Sequence, residues 1–308
     1  MSGEDTFPLK TGLSFAPLSP ENSELFNKYA ALCGVKGADS CFTTQWALES
    51  GVTASFEAAG SLCWLATGSG ELLAPVGDWS FAAAPGVLEA RFGKKLSLKA
   101  VPETFAQLLE KELAGRAEVT AELYDRGRWE YLYSLKELAE LPGGKFVKKR
   151  GRINRFKKDY SYTATPLDGA LAAELMAFQE SWYRVNSYEA GPGLEKEHRA
   201  ILRILENWDK ITGLCGTVIK IKGETVAYTI GEAQGDTLVV QFEKASLEYG
   251  AGYQVVNMEF CRQIQRQFPE ITTVNREEDL NDAGLREAKL SYMPTAFNRL
   301  CSVNIEFM

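Results

Sequence analysis

The 308-residue sequence has a single histidine, His198. One imidazole is all that a histidine-dependent mechanism could use. Its setting, Leu194-Glu-Lys-Glu-His-Arg-Ala-Ile201, reads as an exposed helix face with no nucleophile beside it. Six cysteines (Cys33, Cys41, Cys63, Cys215, Cys261 and Cys301) are scattered, and no two have CxxC spacing. Zinc requires closely spaced thiolates or imidazoles, so no metal site is expected and the thiols are read as buried and reduced. No apolar run approaches the roughly 20 residues of a membrane-spanning helix. The start, Met1-Ser-Gly-Glu-Asp-Thr-Phe-Pro8, has neither the basic nor the apolar stretch of a signal peptide. A cytoplasmic protein is expected.

Basic charge is also in short supply. The net charge is −7, and the halves flanking the middle are both acidic. The exception is Lys145-Phe-Val-Lys-Lys-Arg-Gly-Arg-Ile-Asn-Arg-Phe-Lys-Lys158, with eight basic residues and no acid. Such a segment either meets an anionic partner or neutralises acidic flanks across a domain seam. Phe146, Val147, Ile153 and Phe156 supply apolar anchors, which favour a docked helix or loop.

Hydrophobic residues make up 45% of the chain and charged ones 24%, enough for two ordinary domains with their own cores. In the second half, Leu171, Leu175, Phe178 and Trp182 mark a helix over 167–186, followed by a Gly191-Pro-Gly193 loop and a helix over 195–208. Alternating apolar residues (Ile219, Ile221; Val226, Tyr228, Ile230) and Leu238–Glu243 then predict a meander. A helix carrying Val256, Phe260, Ile264 and Phe268 follows, then a strand at Ile271–Asn275, a helix at Asp282–Tyr292 and a strand near Leu300–Ile305. The first half shows a similar order: strands over 62–66 and 71–75, a helix over 87–92, a strand over 96–101, a helix over 104–113 and a strand over 119–123. The expectation is an α/β (α+β) chain of two duplicated units, 1–158 ending in the basic segment and 159–308 carrying the site. Tyr131, Tyr133 and Trp46 are expected in the first unit's core.

The densest polar stretch is Asn275-Arg276-Glu277-Glu278-Asp279, where the strand carrying Val274 ends. Ionic groups crowded at a strand's C-terminal end are costly to order without a ligand or counter-charge, which makes this a candidate site. Glu243, Glu277 or Asp279 could act as base or orient an acceptor. Arg276 and Lys289 could bind phosphate or stabilise an oxyanion. The alternative is a purely structural network in which Glu277 pairs with Arg276.

The element order of the second half is similar to the GNAT-like acyltransferase fold. That resemblance implies that Tyr249-Gly-Ala-Gly-Tyr253 is the turn whose following helix receives a pyrophosphate such as that of acyl-CoA, and that Tyr292, five residues before Phe297, protonates the leaving group. Leu247 replaces the polar residue usual before that turn.

The chain more narrowly resembles proteins related to the C-terminal catalytic domain of bacterial phosphatidylglycerol lysyltransferases (the DUF2156 group). The motifs are Asp39-Ser-Cys-Phe-Thr-Thr-Gln-Trp46, Trp129-Glu-Tyr-Leu-Tyr133, Lys148-Lys-Arg150 through Ile153-Asn-Arg-Phe156, Glu243-Lys-Ala245, Tyr249–Asn257, Asn275–Leu280 and Gly284–Tyr292. The resemblance implies two tandem GNAT-like domains, each a mixed, mostly antiparallel sheet flanked by helices. It further implies an aminoacyl- or acyltransferase whose donor is aminoacyl-tRNA or acyl-CoA. Lys148, Lys149, Arg150, Arg152, Arg155, Lys157 and Lys158 would then hold tRNA phosphates. The larger relatives pass an aminoacyl group to a lipid at the membrane; without an apolar span here, a lipid acceptor is not expected and the acceptor stays open. Two alternatives stand beside this: a non-catalytic RNA- or nucleotide-binding protein on the same scaffold, and an acyl-CoA-dependent N-acetyltransferase.

Overall fold

The computed structural model describes residues 12–48, 51–57, 61–187 and 192–308. The opening octapeptide and Gly191 of the expected loop lie outside the described residues. Two compact units emerge, one of Met1–Trp129 with Asn298–Met308, the other of Glu130–Phe297. These boundaries differ from a division after Lys158.

The first unit runs through β1 (Ala16–Pro17), α1 (Ser23–Ala30), β2 (Thr53–Glu57), β3 (Leu62–Ala66), β4 (Leu72–Leu73) and β5 (Val76–Gly77). It continues with α2 (Trp79–Ala83), α3 (Val87–Phe92), β6 (Lys95–Pro102), α4 (Glu103–Glu112) and β7 (Ala117–Leu123). β3, Leu-Cys-Trp-Leu-Ala, is buried along its whole length, as a continuous apolar run in a sheet covered on both sides should be. The Asp78 carboxylate caps α2 by accepting the backbone N–H groups of Ser80 and Phe81.

The second unit comprises β8 (Glu130–Ser134), α5 (Leu135–Glu140), α6 (Val147–Asp159), β9 (Tyr162–Pro166), α7 (Gly169–Asn186) and α8 (Pro192–Glu206). Then come β10 (Leu214–Ile221), β11 (Glu224–Gln234), β12 (Thr237–Ala245), α9 (Gly252–Gln267), β13 (Thr273–Asn275), α10 (Ala283–Leu290) and β14 (Ala296–Asn298). Its sheet has the order β14-β8-β13-β12-β11-β10-β9. The β10–β11 and β11–β12 pairs are antiparallel, and β12–β13 is parallel. β10 is buried over most of its length. Helices explain this by covering both faces. Thr217 and Gln263 of α9 meet on one face, and Tyr228 donates to Gln179 of α7 on the other.

The basic segment is the helix α6, wholly inside this unit. Ile153 and Phe156 anchor it in the core, as does Phe146 just before it. Val147, expected as a further anchor, is 59% exposed. Tyr131 and Tyr133 are fully buried, but in the core of the second unit, because β8 pairs with β13. Trp46 is buried in the first unit. His198 does not lie on an exposed face: it is buried, stacked on Tyr183 at 4.0 Å and 3.1 Å from the Gln179 amide. All six cysteines are buried. Among the described residues no helix is long and apolar enough to cross a membrane.

The final strand, β15 (Leu300–Phe307), leaves the second unit and completes the sheet of the first. It lies between β6 and β7, antiparallel to both, with Val303 opposite Leu98 and Ala121. The first sheet therefore reads β1-β2-β3-β4-β6-β15-β7, with β5 joined to β3. Both sheets are mixed, since β4 pairs in parallel with β6 just as β12 does with β13.

Gly231 marks a register shift in β11, and a Cβ there would lie 2.4 Å from the Val239 carbonyl oxygen. Gly231→Ala is expected to cost about 1–3 kcal/mol through backbone displacement. Urea denaturation of the two proteins measures the difference.

Candidate functional site

Asparagine and aspartate shape the loop after β13. The Asn275 side-chain oxygen accepts the Glu277 N–H at 2.8 Å, Asp279 accepts the Asn281 N–H at 3.0 Å, and Asp282 caps α10 through the Leu285 N–H at 2.6 Å. These bonds hold Glu277, Leu280 and Asn281 in the left-handed region, at φ of 54°, 51° and 62°. Lys289 closes the loop from below, donating to the carbonyls of Arg276 and Glu277. Burial, then the nearby Arg276 charge, lowers the Lys289 pKa.

Asp279 is fully buried and fully engaged. It accepts a two-pronged pair of bonds from Arg286, each 2.8 Å, and the Tyr131 hydroxyl at 2.6 Å. The Arg286 guanidinium, with the Tyr131 hydroxyl helping, holds its carboxyl well below the usual carboxylate range. A carboxylate so occupied is suited to fixing the loop rather than to taking a proton. Glu277 does not pair with Arg276; burial, reinforced by the Glu278 charge, raises its carboxyl pKa.

Arg276 pairs instead with Glu243 of β12, its Nη2 lying 3.2 and 3.4 Å from the two carboxylate oxygens. β12 and β13 run parallel, so their C-terminal ends deliver Glu243 and Arg276 to the same place, as at the switch point of an α/β sheet. Both side chains are largely buried, 14% exposed for Arg276 and 12% for Glu243. Burial opposes the Arg276 charge, but Glu243 together with Tyr292, Tyr133 and Cys261 outweighs it, and the guanidinium binds its proton more tightly than usual. Asn257 of α9 also donates to Glu243, at 3.3 Å. Arg276 Nη1 is buried and makes no hydrogen bond of ordinary geometry.

Tyr292 joins this pair to α6. The Arg276 guanidinium carbon is 4.8 Å from the centre of its ring, and Lys149 Nζ is 3.6 Å from it. The ring is buried, which raises the phenol pKa, so Tyr292 remains a protonated donor at neutral pH. Lys149 also donates to Ser291 Oγ at 2.6 Å. Burial, then Arg276 and Arg152, brings its amine down to about 8.

The glycine turn and the basic helix, read separately in the sequence, are two walls of one groove of about 600 Å³. Arg152, Arg155, Phe156 and Tyr160 form one side, and Tyr249, Gly250, Ala251, Gly252, Tyr253 and Gln254 the other. Tyr160 packs edge-on against Tyr249 at 5.3 Å and against Phe156 at 5.0 Å. At the α9 start, helix geometry leaves backbone N–H groups without intrahelical acceptors. Gly252 is tightly packed, since a Cβ there would sit 3.0 Å from the Ala245 Cβ; Gly250 has open space around it. Leu247 lines the groove and is 77% exposed. Tyr253 in the groove and Asn257 on Glu243 are one turn apart on α9, so the groove adjoins the ionic cluster.

The seven basic residues divide into groups. Lys148, Arg152, Arg155, Lys157 and Lys158 are exposed, although Arg155 reaches Asp159 at 3.4 Å and Lys157 reaches Glu259 at 3.8 Å. Lys149 turns inward to Tyr292, and Arg150 donates to the carbonyls of Leu141 and Gly143. Sequence reasoning missed Asn257, Tyr160 and the buried Glu130, which accepts from Asn275 at 2.9 Å. Asn257 carried a usable signal, a polar residue beside the apolar stripe of its helix.

The family description "Phosphatidylglycerol lysyltransferase, C-terminal" matches residues 68–301. A conserved protein of unknown function from Bacteroides thetaiotaomicron is 26% identical, with a TM-score of 0.80 over 96% of this chain and 100% of that one. The C-terminal domain (DUF2156) of a protein assigned as a lysylphosphatidylglycerol synthetase in Agrobacterium fabrum has a TM-score of 0.60 at 13% identity, covering 92% of each chain. L-PGS from Bacillus licheniformis has a TM-score of 0.54 at 15% identity, over 94% of this chain and 92% of that one. At those identities the last two are likenesses of fold. Comparison with curated proteins gives no match. By the extent of the family match, this chain belongs to the family of the C-terminal domain of phosphatidylglycerol lysyltransferase.

Proposed function

We propose that the second unit transfers an aminoacyl or acyl group from a phosphate-bearing donor, a charged tRNA or an acyl thioester, to an acceptor amine or hydroxyl. The groove carries this reading, because it combines what such a donor needs on facing walls. Arg152 and Arg155 offer charge to phosphates, the α9 N-terminus offers backbone N–H groups, and Tyr160 and Tyr249 offer aromatic surface to a base. Membership of the family supports the same chemistry, and the two mixed sheets with their parallel pairs fit a tandem GNAT-like arrangement.

In the transfer, the acceptor attacks the donor carbonyl and the leaving oxygen or sulfur departs with a proton. Arg276 Nη1 donates to the developing oxyanion, and Tyr292 supplies a second donor at the same face. Glu243 fixes Arg276 and orients the acceptor. Lys289 and Asp279 act on the loop that positions Arg276. A binding protein without chemistry would share the groove, so turnover separates the readings. Charged tRNA and acetyl-CoA, each incubated with the protein, should show consumption of one donor; if neither is consumed, the transfer reading fails.

Arg276→Gln is expected to lower kcat by roughly 10²–10³ while leaving KM within a factor of a few, as loss of a transition-state donor does. Steady-state kinetics on the consumed donor measures both constants.

If tRNA is the donor, reversing Arg152 and Arg155 to glutamate should reduce the slope of log K against log salt by about 2, near one unit for each lost phosphate contact. An unchanged slope in a filter-binding series would remove α6 from the tRNA interface.

A further inference from the structure

Lys149 differs from the other lysines of α6. Lys148, Lys157 and Lys158 are exposed, whereas Lys149 is half-buried with its amine held at two points. One is Ser291 Oγ at 2.6 Å, and the other is the face of Tyr292 at 3.6 Å from the ring centre. The Ser291 hydroxyl proton is committed to the Ala288 carbonyl at 2.5 Å, so Ser291 receives a Lys149 N–H and leaves the nitrogen lone pair unengaged. Along α6, Lys149 precedes the groove-lining Arg152 by one turn. Arg276, with its unpaired Nη1, lies over the same Tyr292 ring. The amine thus neighbours both a groove-lining arginine and a candidate oxyanion donor.

We propose that Lys149 is a self-acylation site, its Nζ taking the acyl or aminoacyl group of a donor lodged in the adjoining groove. The proposal rests on the transfer reading above and names one acceptor within the protein itself. The neutral amine attacks the donor carbonyl carbon. A C–N bond forms, the ester C–O or thioester C–S bond breaks, and the amine proton leaves on the departing hydroxyl or thiol. The amide nitrogen carries no charge, so modification removes the ammonium from the Tyr292 ring; a simple acyl group leaves the site one cation poorer, whereas an aminoacyl group brings its own α-ammonium. The amide is a dead end for that acyl group and makes the site self-limiting.

The chemistry favours Lys149 over its neighbours. Burial and the adjacent Arg276 and Arg152 charges bring its amine to about 8, whereas the exposed lysines of α6 have no such cover. At neutral pH about a tenth of the Lys149 amine is the nucleophilic free base, against well under a thousandth for an ordinary lysine.

The test is peptide mass spectrometry of the intact chain after incubation with charged tRNA and, separately, with acetyl-CoA, alongside Lys149→Arg and Arg276→Gln. The expected result is an amide at Lys149 with one donor, at least tenfold ahead of Lys148, and absent at that position in Lys149→Arg. Its rate should rise about eightfold from pH 7 to 8.5 and then level off. Arg276→Gln, which removes both the oxyanion donor and a charge beside the amine, should slow it at least tenfold at pH 7. If a donor is consumed while Lys149 stays unmodified, or is modified no faster than Lys148, the self-acylation proposal falls and the transfer reading stands. If neither donor is consumed and Lys149 is untouched, both fall.

Discussion

The ion pair between Arg276 and Glu243 is the constraint on which the second unit's polar architecture depends. Two opposite charges withdrawn from water cost several kcal/mol in desolvation, repaid only when geometry and further hydrogen bonds are good. Here the neighbours supply that compensation. Asn257 donates to the carboxylate, Tyr292 and Tyr133 turn aromatic faces to the guanidinium, and Lys289 secures the backbone from which Arg276 projects. The Asp279–Arg286 pair and the left-handed loop keep that backbone in place. A scaffold of this density around one half-satisfied arginine is better suited to presenting a donor than to adding stability.

Much of the fold was legible because local pattern and tertiary outcome agree. The helix over 87–92 and the strand over 62–66 have the expected bounds, and the stripe of Val256, Phe260 and Ile264 is indeed the buried face of α9. What local pattern could not reveal is strand partnership. β8 is a short run next to the basic segment, and nothing in Glu130–Ser134 announces that it pairs with residues about 140 positions later. Likewise, Leu300–Ile305 reads as a strand, but its neighbours β6 and β7 lie far back in the sequence. His198 misled for a related reason: charged flanks suggested a solvent face, while the aromatic ring that covers it, Tyr183, comes from the preceding helix.

The candidate site was legible as a region and less so as a set of roles. Ionic crowding after Val274 located the loop, yet composition cannot assign partners. Glu277, the nearest acid to Arg276 in sequence, is not its partner; the more distant Glu243 is. The basic segment and the glycine turn were each visible, and only folding reveals that they face one another across a groove. Lys149 and Arg150 look like their neighbours in the sequence, and helix phase alone turns them toward Tyr292 and the carbonyls of Leu141 and Gly143.

The path of β15 bears on how the protein is made. The first unit's sheet has a gap between β6 and β7 until that strand arrives, and the whole of Glu130–Phe297 is synthesised in the interval. During translation the second unit can fold as a continuous piece of chain. The first must wait with two strand edges and an apolar face open, in the condition that invites mispairing and chaperone capture. Synthesis thus delivers the strand that completes the first unit's sheet only after the whole of the second unit.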